Sequence, residues 1–138
     1  MSYSDQQLGQ MVRGDSVHRS LYTDPAIFDL EMQRIYGRAW VYVGHESQVP
    51  KTGDYHTTRL GDQDVLMVRA TDGRVHVLYN RCPHKGAKVV ADGDGCVGKF
   101  FRCPYHAWTF KLDGSHLGVP LKQGLEGTSY DPTDPSFS

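Results

Sequence analysis

The first regular pattern along the chain is an apolar repeat with helical spacing. Asp24 suits an N-cap, and Pro25 suits the first helical position because it lacks an N–H that would go unpaired there. Apolar side chains then share one helical face, at Phe28, Met32, Ile35, Tyr36 and Ala39. The pattern predicts one helix that ends near Trp40 and packs against the rest of the chain. Its expected anchors are Tyr22, Phe28, Tyr36 and Trp40.

After this helix the chain is predicted to form short β-strands. Runs rich in β-branched and aromatic residues lie between turn signals, and residues 71–73 and 113–114 are typical of hairpin turns. The predicted strands are residues 40–43, 54–60, 64–70, 74–80, 97–102 and 107–112. Many short, closely spaced strands favour a mainly β fold, an antiparallel sandwich or small barrel with an N-terminal helix.

Size and charge narrow the class of protein. The chain has 138 residues, which suits one domain, and its net charge of −1 gives no general attraction to nucleic acid or anionic lipid. No apolar run approaches the ~20 residues of a membrane span, and the N-terminus lacks an apolar signal core, so we expect a cytoplasmic protein. We expect residues 1–40 to form a polar arm and helix, with residues 1–20 loosely ordered, residues 41–120 to form the main domain, and residues 121–138 to form a linker.

Two short segments carry the candidate chemistry. Cys82 and His84 follow one predicted strand, and Cys103 and His106 follow another, so that each segment offers one thiolate and one imidazole. Two Cys and two His are the ligands of a Rieske [2Fe–2S] cluster. Structural zinc also accepts two Cys and two His, although its usual spacing groups Cys with Cys and His with His. The residues thus indicate a cluster, with a zinc-binding module or chance as alternatives.

The sequence around these ligands resembles a known family. Residues 82–87 (CPHKGA) and 103–108 (CPYHAW) resemble the two cluster loops of Rieske proteins, and most of all the N-terminal domain of aromatic-ring-hydroxylating dioxygenase α subunits. Residues 40–50 and 53–55 resemble the lead-in strands of the same subunits, so the resemblance covers about residues 20–125. It implies a Rieske-type sandwich whose [2Fe–2S] cluster is held by Cys82, His84, Cys103 and His106.

Some positions depart from the family pattern. Lys85 stands where arginine is common, which keeps the charge and loses the planar donor group. The loops lack the extra cysteines that form a disulfide in respiratory Rieske proteins, and Ala107 and Trp108 supply no hydroxyl to the cluster sulfurs. Fewer such donors imply a potential at the low end of the Rieske range, as in oxygenases. Lys85, Tyr105 and Trp108 are expected to flank the cluster, with Tyr105 and Trp108 packed over the sheet.

The resemblance also implies partners. A ferredoxin or flavin reductase would deliver electrons from NAD(P)H, and the cluster would pass them to a mononuclear non-haem iron, in the same or a neighbouring α subunit of a trimer. That iron belongs to a catalytic domain outside this chain. Residues 81–111 hold six bases and two acids, a local excess that would attract an acidic donor protein.

The remaining metal-binding residue types are not expected to be ligands. His18, His45, His56, His76 and His116 show no close helical pairing, and Cys96 in a turn-rich stretch is expected to be a free thiol.

A standalone Rieske ferredoxin is the main alternative function. The helix before residue 40 and the tail after Gly118 count against it, because such carriers usually begin directly at the first strand.

Overall fold

The computed structural model describes residues 3–120, 127–129, 131 and 134, and the predicted linker of residues 121–138 lies mostly outside this set. The chain divides into two compact units, residues 1–42 and 43–138.

The N-terminal unit contains three short helices, α1 (Asp5–Gln10), α2 (Ser20–Thr23) and α3 (Pro25–Glu31). The predicted start of α3 is confirmed, because the Asp24 carboxylate accepts a hydrogen bond from the Ala26 N–H at 2.9 Å. The prediction of a loosely ordered arm is wrong. Ser4 and Gln7 form a reciprocal capping box on α1, which satisfies N–H groups that would otherwise lack partners. No helix in the described part of the chain has the length and apolar character to cross a bilayer.

The predicted apolar face of α3 is also wrong. A π-helical turn, Met32–Tyr36, follows α3 directly. Because a π turn holds more residues than an α turn, positions with α spacing lose their common face. Within α3 the buried side chain is Ile27, which is 4% exposed. The expected anchors are largely exposed: Tyr22 by 80%, Phe28 by 50%, Tyr36 by 39% and Trp40 by 105%.

The predicted strand at residues 40–43, which spans the boundary between the two units, is wrong, since no described strand pairs with that segment. A 3₁₀ turn, Glu46–Gln48, stands in the stretch that follows. The Arg69 guanidinium fixes this stretch by donating hydrogen bonds to the carbonyl oxygens of Val49 at 2.9 Å, Glu46 at 3.1 Å and Gly73 at 3.0 Å.

The larger sheet has four antiparallel strands in the order β3-β2-β1-β4. They are β1 (Asp54–Leu60), β2 (Gln63–Arg69), β3 (Val75–Tyr79) and β4 (Asp94–Cys96). The first three confirm predicted strands to within one residue, and the turn between β2 and β3 places Gly73 at φ +83°. β4 was not predicted, because a stretch of Asp and Gly becomes a strand here only by pairing with β1.

The smaller sheet has the order β5-β6-β7 and carries one of the candidate loops. Its strands are β5 (Phe101–Arg102), β6 (Thr109–Phe110) and β7 (His116–Gly118). The predictions for β5 and β6 were too long: a turn at residues 98–100 precedes β5, residues 107–108 belong to the loop between the strands, and another turn begins at residue 112. β7 was not predicted. The two sheets share one core that includes Leu66, Val68, Phe101, Phe110 and Leu112. The predicted mainly β antiparallel architecture is therefore confirmed.

Asn80 joins the end of β3 to the far end of the first candidate loop. Its side chain is buried, 2% exposed, and its oxygen accepts hydrogen bonds from the N–H groups of Val89 and Val90, each at 3.0 Å. Its amide nitrogen donates to the Val90 carbonyl oxygen at 3.0 Å. One side chain thus satisfies three backbone groups that would be costly to bury unpaired.

We expect Asn80→Ala to lower the free energy of unfolding by about 3 kcal/mol, because it leaves those backbone groups without partners. Denaturant unfolding of the purified protein measures this value. Gln63→Ala is the matched control, since the Gln63 amide bonds Asp62 at the surface, and we expect a change within about 0.5 kcal/mol. Equal losses in the two variants would contradict the role given to Asn80.

Gly53 is required by a close approach of two backbones. Its φ is +86°, and a Cβ placed there would overlap the carbonyl oxygen of Gly98. We expect Gly53→Ala to destabilise the protein by about 3 kcal/mol through backbone strain and overlap. Gly73 has a similar φ of +83°, but a Cβ placed there would have no atom within 4 Å. We therefore expect Gly73→Ala to lower the free energy of unfolding by only about 1 kcal/mol. Thermal unfolding compares the two variants, and a Gly53 variant no less stable than the Gly73 variant would refute the overlap.

Candidate metal centre

The two candidate loops repeat one hydrogen-bonding pattern. The Cys82 N–H donates to the Ala87 carbonyl oxygen at 2.8 Å, and the Gly86 N–H donates to the Cys82 carbonyl oxygen at 2.8 Å. In the second loop the Cys103 N–H donates to the Trp108 carbonyl oxygen at 2.8 Å, and the Ala107 N–H donates to the Cys103 carbonyl oxygen at 3.0 Å. Each loop therefore closes on its own cysteine.

Both loops reverse direction through a residue with positive φ. Gly86 has φ +74°, and Ala107, at +57°, is the non-glycine residue with positive φ in the described chain. Such a conformation is strained for alanine. Its location beside a candidate ligand fits the tendency of backbone strain to occur at functional sites. The glycine is a recognisable turn signal in the sequence, whereas nothing in the sequence marks Ala107 in this way.

The structure brings the two cysteine thiols together inside the core. Cys82 is 1% exposed and Cys103 is 3% exposed. Burial, followed by the neighbouring Cys103 thiol, raises the pKa of the Cys82 thiol. The backbone N–H groups of His84 and Lys85 act in the opposite sense, because they point toward the sulfur and lower that pKa. A bound metal ion would favour the thiolate form of the sulfurs it contacts.

The two histidines form a second pair. The ring centroids of His84 and His106 lie 4.7 Å apart at an interplanar angle of 68°. Burial, and then the charges of His106 and Lys85, lower the pKa of His84, which favours the neutral imidazole that binds metals. His106 Nδ1 is buried and has no hydrogen-bond partner, although an unpaired buried nitrogen is unfavourable. It is thus available as a metal ligand.

The expected flanking residues differ in their surroundings. Trp108 packs against the core, and its ring stacks on His84 with centroids 4.7 Å apart. Tyr105 stacks on His106 at 3.8 Å but is 65% exposed, so the expectation of core packing holds for Trp108 and not for Tyr105. Lys85 is exposed.

The donor set fits a two-iron cluster. The thiols form one pair and the imidazoles form another, which is how a Rieske cluster divides its ligands between its two irons. Among the residues that the structure describes, no three His, Cys, Asp or Glu side chains converge on a point that could hold one ion.

Three of the residues that were not expected to be ligands, Cys96, His56 and His45, lie outside the two loops. Cys96 is exposed on β4, at the edge of the larger sheet. His56 bonds Asp94 through Nδ1 at 2.5 Å and Gln48 through Nε2 at 3.2 Å. His45 Nδ1 accepts a hydrogen bond from the Ser47 N–H at 3.2 Å.

The loops carry exposed cations. Lys88 pairs with Asp64 at 3.2 Å and Asp92 at 2.8 Å. The other five bases of residues 81–111 have no ion pair with any described residue. They are Arg81, Lys85, Lys99, Arg102 and Lys111, all exposed.

Comparison with known proteins shows the family to which the chain belongs. The family model of the Rieske [2Fe-2S] domain matches residues 39–129. The α subunit of biphenyl 2,3-dioxygenase from Rhodococcus jostii is 35% identical over 136 residues, which cover 94% of this chain and 29% of that protein. The chain thus spans about three tenths of that relative.

Solved structures with the same fold include two oxygenases. Naphthalene 1,2-dioxygenase from Rhodococcus sp., bound to indole, has a TM-score of 0.80 and 32% identity, over 93% of this chain and 30% of that one. A quaternary ammonium Rieske monooxygenase, whose structure is described in terms of carnitine oxidation by gut microbiota and inter-subunit electron transfer, has a TM-score of 0.75 and 33% identity, over 83% of this chain and 31% of that one. The expected resemblance is confirmed: the chain belongs to the Rieske [2Fe-2S] domain family, whose members bind a [2Fe–2S] cluster.

Proposed function

We propose that this chain is the electron-transfer domain of an aromatic-ring-hydroxylating dioxygenase, with Cys82, His84, Cys103 and His106 as the cluster ligands. The observation that carries the proposal is the buried thiol pair beside the imidazole pair, on two loops of the same construction. When bound, the cluster accepts and releases one electron at a time. The chain's own residues hold it, keep water away and present it to partners.

The cysteine side of the site excludes water. Both thiols belong to the hydrophobic core, together with Phe101 and Phe110, so the sulfur ligands lie in a region of low dielectric constant. The N–H groups of His84 and Lys85 point toward the Cys82 sulfur and stabilise negative charge there. In a bound cluster these two N–H groups would stabilise the negative charge of the reduced state, whereas burial alone disfavours it.

The histidine side is the natural point of electron exchange. His84 and His106 are only partly buried, unlike the two cysteines. Neutral imidazoles leave the site less negative than four thiolates would, which makes reduction easier. Tyr105 is exposed, and its ring stacks on His106 with centroids 3.8 Å apart. A partner protein that contacts Tyr105 would therefore lie close to His106.

The donor is proposed to be an acidic ferredoxin or flavin reductase that takes electrons from NAD(P)H. The five exposed bases without ion pairs support this choice, because unpaired cations attract an acidic surface. They include Arg81 and Arg102, each of which directly precedes a candidate cysteine ligand.

The acceptor is proposed to be a mononuclear iron in a catalytic domain, in the same or a neighbouring α subunit of a trimer. The relatives are about three times as long as this chain, which leaves room for such a domain. The inter-subunit electron transfer described for the quaternary ammonium monooxygenase supports a neighbouring subunit as acceptor. We place the protein in the cytoplasm, with no nucleic acid or membrane among its partners.

We further propose the predicted organisation: an arm and helix to residue 40, the cluster domain at residues 41–120 and a linker beyond. The division of the chain after residue 42 and the start of the family match at residue 39 support the first boundary.

The alternatives fit less well. A standalone ferredoxin would not need the N-terminal unit, and the match to the biphenyl dioxygenase subunit extends over 94% of this chain. The match to the Rieske [2Fe-2S] domain over residues 39–129 supports a cluster over a structural zinc module.

Removal of any one proposed ligand should abolish the cluster. We expect Cys82→Ser, His84→Ala, Cys103→Ser and His106→Ala each to lower bound iron and acid-labile sulfide by at least about tenfold. Colorimetric iron and sulfide assays on the purified proteins measure this loss. Cys96→Ser is the control and should retain two irons per chain. Loss of cluster from the Cys96 variant, or its retention in a proposed ligand variant, would contradict the ligand assignment.

Charge reversal beside the loops should slow reduction by an acidic protein. We expect the double variant Arg81→Glu, Lys85→Glu to accept electrons from a reduced plant-type ferredoxin about tenfold more slowly, with weaker salt dependence. Such a ferredoxin has the lower potential, so the transfer is downhill. Stopped-flow spectroscopy measures the rate, the extent of reduction by excess dithionite should be unchanged, and Arg13→Glu is the control. A wild-type rate independent of salt would remove the case for electrostatic docking.

A further inference from the structure

The ring of His84 is stacked on a side chain from the other loop. The imidazole and the Trp108 indole are parallel to within 1°, with centroids 4.7 Å apart. This is an offset stack, a favourable arrangement of aromatic rings. One loop thus supplies the proposed ligand, and the other supplies the surface against which that ligand lies.

No hydrogen bond from a described residue reaches the ring nitrogens of His84. A ligating histidine is usually oriented by a hydrogen bond from its second nitrogen to a carboxylate or carbonyl. For His84 the contacts seen within residues 3–120 are two ring contacts, the stack on Trp108 and the edge contact with His106. The stack is the one that defines a ring plane.

The position of the indole is set by the second loop's backbone. The Trp108 carbonyl oxygen accepts the Cys103 N–H at 2.8 Å, directly after the reversal at Ala107. The same short segment therefore carries two proposed ligands, Cys103 and His106, and the ring that stacks on the third. A displacement of this segment would move both sides of the site together.

The indole is also supported from the interior. His116 on β7 meets the Trp108 ring edge-on, with centroids 5.4 Å apart and an angle of 67°, and Phe110 meets His116 in the same manner at 5.7 Å. Trp108 packs against the hydrophobic core. By contrast, Tyr105 stacks on His106 but is 65% exposed. Only one of the two stacked aromatics is thus held against the core.

We propose that Trp108 is a positioning residue that fixes the plane of the His84 imidazole toward the cluster. This inference rests on the proposed function, because it takes His84 and His106 as iron ligands. Trp108 acts through His84 and needs no contact with the metal. It makes the orientation of a ligand on the first loop depend on the closure of the second loop.

The test compares Trp108→Leu, Trp108→Phe and the control Tyr105→Leu in the cluster-loaded protein. Pulsed EPR of the dithionite-reduced protein resolves the couplings of the two ligating histidine nitrogens separately. We expect Trp108→Leu to shift or broaden one coupling and leave the other unchanged. Trp108→Phe should move the same coupling less, since a smaller ring still stacks. Tyr105→Leu should leave that coupling as in the wild type.

A second measurement follows iron release to a chelator. We expect release to be about two- to tenfold faster for Trp108→Leu, because it loses one aromatic stack, with most of the wild-type rate restored in Trp108→Phe. A merely structural role would move both nitrogen couplings together.

The inference is overturned if Trp108→Leu leaves both couplings unchanged or moves both equally. If that variant does not assemble a cluster, the same criterion is applied to Trp108→Phe. A wild-type protein that shows no coupling to two histidine nitrogens would instead refute the ligand assignment, and so the proposed function.

Discussion

The site depends on the closure of each loop by its own cysteine. In each loop the cysteine N–H is bonded to a carbonyl oxygen further along, and the cysteine carbonyl oxygen receives an N–H from the reversing residue, Gly86 or Ala107. These bonds fix the cysteine backbones. The core then holds both thiols at the meeting point of the two sheets. Because both sulfurs are buried, thiolates there would need positive charge close by, which the irons of a bound cluster would supply.

The rest of the domain is arranged around this requirement. Asn80 anchors the far end of the first loop to β3, and the second loop lies between β5 and β6. Both loops therefore start from strands that the common core holds in place. The outer part of the site is different in character, with partly buried histidines and exposed cations. A dry interior that holds two thiols and an accessible exterior that carries cations suit a centre that exchanges electrons with other proteins.

The sequence was informative where a local rule determines the structure. Strands β1 to β3 follow from their composition and the turn at Gly73, and the paired spacing of Cys and His indicated a Rieske site that the family match supports. The sequence was misleading where the structure of a segment depends on contacts with other segments. The π turn after Glu31 changes the helical spacing, and residues 40–43 pair with no described strand. The positive φ of Ala107 and the stack of Trp108 on His84 depend on loop closure, which residue types alone do not encode.

The central claim is that two thiols and two imidazoles hold one [2Fe–2S] cluster. Low-temperature EPR before and after dithionite reduction tests it most directly. We expect no signal from the oxidised protein and a rhombic signal after reduction, with an average g below that of ferredoxins whose ligands are all cysteines, because one iron would have histidine in place of thiolate ligands. A protein that is silent in both states and contains zinc would refute the assignment of a [2Fe–2S] cluster.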